Sequence, residues 1–196
     1  MAEIVLPPPC TDGPMSLEKA IARRRSVRRY SSESLTLEQI GQLLWAAQGI
    51  TGPEDYLRAA PSAGGCHPLV LYVCRFDGVW RYHPEGHTLK RHQERDVRQK
   101  LADAAWRQGF IAGAPCVFVI SAIPTRTTRR YHERGAMRYI PMDAAHAAQN
   151  LLLQAVALGL GGVPVGAFDD QSVALALALP SQEMPLYILP VGYPEG

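Results

Sequence analysis

Lysine is scarce in this chain of 196 residues: of 20 basic residues, 17 are arginine and 3 are lysine. The positive charge therefore sits on rigid, forked guanidinium donors suited to carboxylates and phosphates, rather than on a diffuse solubilising coat. Neither sign of charge is in excess. A balance of 20 basic against 18 acidic residues argues against disorder and makes a free-standing nucleic-acid binder a poor reading. Cysteine is rare too, and Cys10, Cys66, Cys74 and Cys116 form no CxxC pair. The start, Met1 to Pro9, lacks the basic region and apolar stretch of a secretory signal, so a cytoplasmic protein with reduced thiols is expected. The longest apolar run, around Cys116 to Ile123, falls well short of the ~18 residues that span a bilayer, which leaves no membrane role. GxSxG, Walker A and HExxH are all missing, and with them the usual support for a serine hydrolase, a P-loop NTPase or a zincin.

What is present is enough apolar material, 47% of residues, to bury the core of one domain spanning residues 1–196. After a proline-rich lead, Ser16 can cap a short helix whose Leu17, Ala20 and Ile21 share a face. Thr36, with Gln39 three positions on, forms a capping box for a second helix. Its stripe is Leu37, Ile40, Leu43, Leu44 and Ala47, and Gly49 ends it. A stretch rich in Gly, Pro and Ser, from Gly52 to Pro68, leads into a buried strand at 69–74. Val79 to Tyr82, the turn Pro84-Glu85-Gly86 and Thr88 to Lys90 read as a hairpin. Asp96 and Gln99 suggest another capped helix with Val97, Leu101 and Ala104 or Ala105 inward. Cys116 to Ile120 has almost no polar face and belongs in mid-sheet.

A polar loop is expected next, and Ala122 to Met137 is a candidate lid. From about Asp143 to Leu158 a long helix is apolar nearly all round, which marks a central or interfacial position. A short helix at 171–179 and a third buried strand at 186–191 complete the pattern. The class is α+β with more helix than strand.

Three segments carry chemistry. Arg23-Arg24-Arg25-Ser26-Val27-Arg28-Arg29 packs five arginines into seven residues. It can be a solvated charge cluster or a nucleic-acid patch, but Ser26 favours a phosphate monoester, which takes forked guanidinium donors and a hydroxyl together. Pro61-Ser62-Ala63-Gly64-Gly65 is either a plain loop or a place where backbone N–H groups approach a flat ligand. Gly159 to Phe168 is glycine-rich yet follows a helix, unlike a dinucleotide fingerprint. His83, His87 and Glu85 around the hairpin turn are better read as turn polarity than as a metal site, and no metal is expected. Cys66 reads as a small loop residue.

In order along the chain, RRSVRRY, LTLEQIGQLLWAAQGIT, PSAGGCHPLVLYV, RYIPMDAAHAAQNLLLQAVALGLGGVPVGAF and LYILPVG resemble the nitroreductase-like flavoproteins, and most of all their SagB-type dehydrogenase branch. The resemblance covers nearly the whole chain. It implies a nitroreductase-like fold, with a central mixed or antiparallel sheet flanked by helices, in an intertwined homodimer that carries FMN at its interface. Arg24, Arg25, Ser26 and Arg28 would hold the FMN phosphate. Pro61, Ser62, Ala63, Gly64 and Gly65 would reach the flavin ring from the other subunit. Val165, Gly166 and Ala167 would lie by N5, with Gln149 and Asn150 as supports.

The implied activity is an FMN-dependent, ping-pong passage of hydride from NAD(P)H to a nitro, quinone or similar small acceptor. The alternatives are azoline oxidation in modified peptides, with peptide-modification partner proteins, and a non-catalytic flavin-binding module. Three departures from the branch stand out. Its Lys-Tyr pair is here Arg130-Tyr131, which leaves Tyr131 as the candidate catalytic residue because arginine stays protonated. Its Glu-x-Gly-His before the long helix is here Asp143-Ala144-Ala145-His146. Relatives often carry a further basic residue after the last strand, a part that Arg29 or Arg138 would have to take.

Overall fold

The computed structural model describes residues 2–52 and 57–195, so part of the Gly/Pro/Ser stretch, residues 53–56, lies outside the described residues. Seven strands form one sheet: β1 (Glu3–Val5), β2 (Leu69–Arg75), β3 (Gly78–His83), β4 (Thr88–Gln93), β5 (Cys116–Ala122), β6 (Gly161–Gly162) and β7 (Met184–Gly192). Their order is β1-β4-β3-β2-β5-β7-β6, and every pair of named strands is antiparallel. The sheet is therefore antiparallel rather than mixed. Its one parallel contact is an isolated bridge from Ser26 to Gly162.

Successive residues of a strand face opposite sides, and both sides here are apolar. Leu71, Val73, Phe118, Ile120 and Leu189 face one core, shared with α2 (Leu37–Gln48) and α6 (Ile140–Ala157). Val70, Tyr72, Val117, Val119 and Ile188 face the other, shared with α3 (Arg98–Ala104), α4 (Phe110–Gly113) and α7 (Asp170–Leu177). All seven residues of β5 are buried, as a mid-sheet strand between two helical layers requires.

Both bonds of the Thr36–Gln39 capping box form at the start of α2. The box expected at Asp96 forms only in part. Asp96 Oδ1 accepts the Arg98 backbone N–H at 3.0 Å, and the carboxylate also holds the Arg98 side chain through Nε and Nη2 (3.0 and 2.7 Å). The Gln99 side chain turns to Asp103 instead. Ser16 caps α1 (Leu17–Arg23), but only Ala20 of the anticipated face is buried; Leu17 and Ile21 are exposed. The largest departure is at 122–137. It is no polar loop but helix α5 (Thr125–Arg134), kinked at His132, and it joins α6 through a π-helical turn at Gly135–Tyr139. With Thr127 as its one buried residue, α5 has no apolar stripe by which a sequence reading would detect it.

Candidate active site

The arginine-serine segment leaves α1 and is sewn to the free edge of the sheet by its backbone. Val27 N–H donates to Gly162 O (3.1 Å), Ser31 N–H to Tyr193 O (3.0 Å) and Glu195 N–H to Arg29 O (3.2 Å). The buried Tyr30 hydroxyl donates to Pro190 O at 3.1 Å, and burial raises its pKa far above that of a free phenol. Gly161 makes the close approach possible, since a Cβ there would lie 2.6 Å from Val27 Cγ2. Arg25, Ser26 and Arg28 are exposed and Arg24 is half-buried. Arg25 folds back onto the Ala22 and Arg24 carbonyls. Arg28 lies 5.7 Å from the centre of the Phe110 ring. Among the described residues, no ion pair joins any of the five arginines to a carboxylate.

Val165 continues along the same edge, bridged to Ile188 through bonds of 2.8 and 3.0 Å. Gly166 and Ala167 follow with exposed backbone beside Tyr187. Gln108 steadies this turn by donating to Ala167 O at 3.1 Å. Two of the three segments, widely separated in sequence, thus share one sheet edge.

The third is placed elsewhere. Asp143, in the first turn of α6, is buried, and its carboxylate accepts from Ser62 Oγ (2.6 Å) and from Ala63 N–H (3.3 Å). His67 N–H donates in turn to Ser62 Oγ (2.9 Å). Asn150, two turns further along α6, donates to Ala59 O. The loop is therefore clamped to the helix from both sides. Gly64 and Gly65 have φ of +61° and +64°, a region costly for residues with a Cβ. A Cβ on Gly64 would also lie 2.5 Å from the Tyr131 hydroxyl. Gly162 touches α6 at Leu152, nine residues from Asp143, or about 14 Å at ~1.5 Å per residue.

Over the loop lie the side chains of α5. Arg130 donates to Gly64 O (3.3 Å), and Tyr131 meets Tyr139 edge to face at 4.9 Å. Arg134 donates to the Tyr139 hydroxyl at 2.9 Å. His132 has φ +51° and ψ −143°, a conformation other than glycine rarely adopts, so the kink beside Tyr131 is strained. Gln149 is exposed and Cys66 half-buried. The sequence reading missed what Asp143 does as an anchor, because its partner Ser62 lies 81 residues away.

An antiparallel sheet between two helical layers, with an arginine-serine segment on its edge and a glycine loop clamped to its longest helix, defines the nitroreductase-like α+β class. The chain belongs to the nitroreductase family, whose model, described as "Nitroreductase family", matches residues 21–193. A protein of Methanocaldococcus jannaschii provisionally named a nitroreductase is 44% identical over 91% of this chain and 91% of its own length. A Bacillus subtilis protein named FMN reductase [NAD(P)H] is 24% identical over 90% of this chain and 65% of its own. The crystal structure of a provisionally named nitroreductase from Ralstonia eutropha superimposes with a TM-score of 0.88 at 29% identity, covering 99% of this chain and 90% of that one.

Proposed function

We propose that the protein is a cytoplasmic, homodimeric FMN-dependent oxidoreductase that passes hydride from NAD(P)H to a nitro, quinone or similar small acceptor. The observation that carries this reading is the donor set on the β6–β7 edge. Arginines without carboxylate partners among the described residues, together with the Ser26 hydroxyl, fit a phosphate monoester. The exposed backbone at Gly166–Ala167 further along the same edge suits the flat, polar face of an isoalloxazine. FMN bound there would supply the redox chemistry, taking electrons from NAD(P)H and giving them to the acceptor in a ping-pong cycle.

The chain's own share of the work is positioning. In this reading Arg24, Arg25, Ser26 and Arg28 neutralise and orient the phosphate. Val165 to Ala167 present main-chain groups to the reacting edge, and Gln108 keeps that turn from moving. Pro61 to Gly65 form a rigid floor, held by Asp143, that serves the flavin of the partner subunit, with Gln149 exposed nearby on α6. Tyr131, poised over Gly64, is the candidate proton donor to an acceptor in that slot. A second subunit is supported by the exposed Leu17 and Ile21 and by an adjoining groove of about 450 Å³ in which Trp45, Leu153 and Ala157 take part.

The test is the visible spectrum of protein produced with ample riboflavin, followed by identification of the released chromophore. Flavin bands, released FMN and NAD(P)H turnover with a nitro or quinone acceptor are expected. A colourless protein that also refuses added FMN would overturn the proposal.

A further inference from the structure

A second cationic site lies away from the sheet edge. Arg58, Arg81 and Arg126 come together with His67, His83 and Glu85 around a cavity of about 130 Å³. The three arginines reach it from the segment before β2, from β3 and from α5. Each guanidinium is already steered by one partner. Arg58 Nη2 bonds Glu85 Oε1 at 2.9 Å, Arg81 Nη2 stands 3.6 Å from Glu183 Oε1, and Arg126 Nη1 donates to the His67 carbonyl at 3.0 Å.

The site remains electrically incomplete. Among the described residues, three guanidinium charges face one lining carboxylate, Glu85, and counting Glu183 behind Arg81 still leaves one positive charge over. The Arg58 side chain is only 10% exposed, and its Nη1 is buried with no hydrogen-bond partner among the described residues. An unpaired buried donor on a cation costs far more than a satisfied one, so the arrangement calls for an acceptor. His83 adds no charge at neutral pH, since burial first, and then Lys90 and Arg81, lower its pKa.

We propose that this cavity binds a tetrahedral oxyanion, a phosphoryl group held between Arg58, Arg81 and Arg126. The space suits a small anion, whereas two larger grooves, of about 440 and 450 Å³, are predominantly apolar. Guanidinium forks arriving from three directions match the oxygens of a phosphate better than those of a planar carboxylate. The group has two sources, free inorganic phosphate or the 2′-phosphate of NADPH. The second rests on the oxidoreductase reading and the first does not. The cavity borders the glycine loop through His67, whose N–H bonds Ser62, so an anion here would be felt at the loop.

Inorganic phosphate is titrated calorimetrically into the full chain in chloride buffer of constant ionic strength, then into R126Q and R58Q. Binding is expected, weakened at least tenfold in each variant. Arg126 is exposed, and among the described residues its side chain bonds only a main-chain carbonyl, so R126Q keeps the test open if R58Q fails to fold. Steady-state KM values for NADPH and NADH in wild type and R126Q separate the sources. A tenfold rise for NADPH alone marks the nucleotide phosphate, and phosphate binding with an unchanged KM ratio marks the free ion. No phosphate binding together with an unchanged ratio overturns the proposal. Phosphate binding that is undiminished in both variants overturns it as well.

Discussion

The two arginine clusters of this protein are built in opposite ways. The first runs continuously from Arg23 to Arg29 and is held to the sheet by backbone bonds and Tyr30, with its guanidinium groups largely left to solvent. The second is gathered from positions 58, 81 and 126 around a cavity, with each side chain engaged by a partner. In the first, charge is added to a scaffold that stands without it. In the second, the charge of Arg58 is part of the packing, so removing it or its ion pair also disturbs the fold.

That contrast can be broken by experiment. Replacing Arg24 and Arg28 together by alanine should weaken FMN binding by about 100-fold or more, at ~1.5–3 kcal/mol for each charge-assisted bond. Unfolding free energy should fall by no more than ~1 kcal/mol, since Arg28 is exposed and Arg24 only half-buried. Flavin fluorescence titration and urea denaturation read the two effects, and a large loss of stability would erase the distinction between the clusters.

Among the described residues, S62A leaves the buried Asp143 carboxylate with only its 3.3 Å bond to Ala63 N–H, and it should cost ~1–3 kcal/mol in urea. An unchanged midpoint would mean that the loop is held by Asn150 and the arginines of α5 instead. E85A strips Arg58 of its ion pair. The loss expected is ~1–2 kcal/mol, less than for a fully buried pair because Glu85 is 60% exposed. Added phosphate should recover part of it, and full stability without phosphate would show that the second cluster is as dispensable as the first.

The smallest effect is the dependence of stability on pH. The folded-state pKa of His83 lies below its usual value of 6.5. Its contribution is therefore fully present above pH 6.5 and declines as pH falls through the lowered value, where the unfolded chain takes up the proton more readily. Unfolding free energies measured between pH 5 and 8 should show a shallower slope in H83Q than in wild type. Equal slopes would remove His83 from the electrostatics of the cavity.

Legibility in the sequence follows the same division. The Thr36 box, the β2, β5 and β7 runs and the arginine-serine segment all draw on neighbours a few residues apart, and each lies where the pattern places it. Helix α5 was hidden because its apolar burial is nearly nil, and it is ordered by running through Gly135–Tyr139 into α6. Strand β6 is two glycines, defined only by pairing with Gly192 and Val191. At Asp96 the capping bond forms to the Arg98 N–H, but the Gln99 half of the box turns to Asp103 one helical turn on. The Asp143–Ser62 bond and the second arginine cluster join positions that no local rule connects. The three candidate segments could be picked out locally, but which of them share an edge could not.

The place of β7 has a consequence for how the molecule is made. The last strand of this sheet in chain order sits inside it, paired along its length with β5, from Ala122–Met184 to Cys116–Val191. On the ribosome, β2, β3, β4 and β5 can assemble early, but one side of β5 then has no neighbour. Seven buried-type residues, every second one with its N–H and C=O groups open on that side, make a template for pairing with other chains. Tyr30 also waits for Pro190. Closure of the sheet and seating of the arginine-serine segment are therefore a single late event, and slow translation between Ala122 and Met184 would lengthen the aggregation-prone interval.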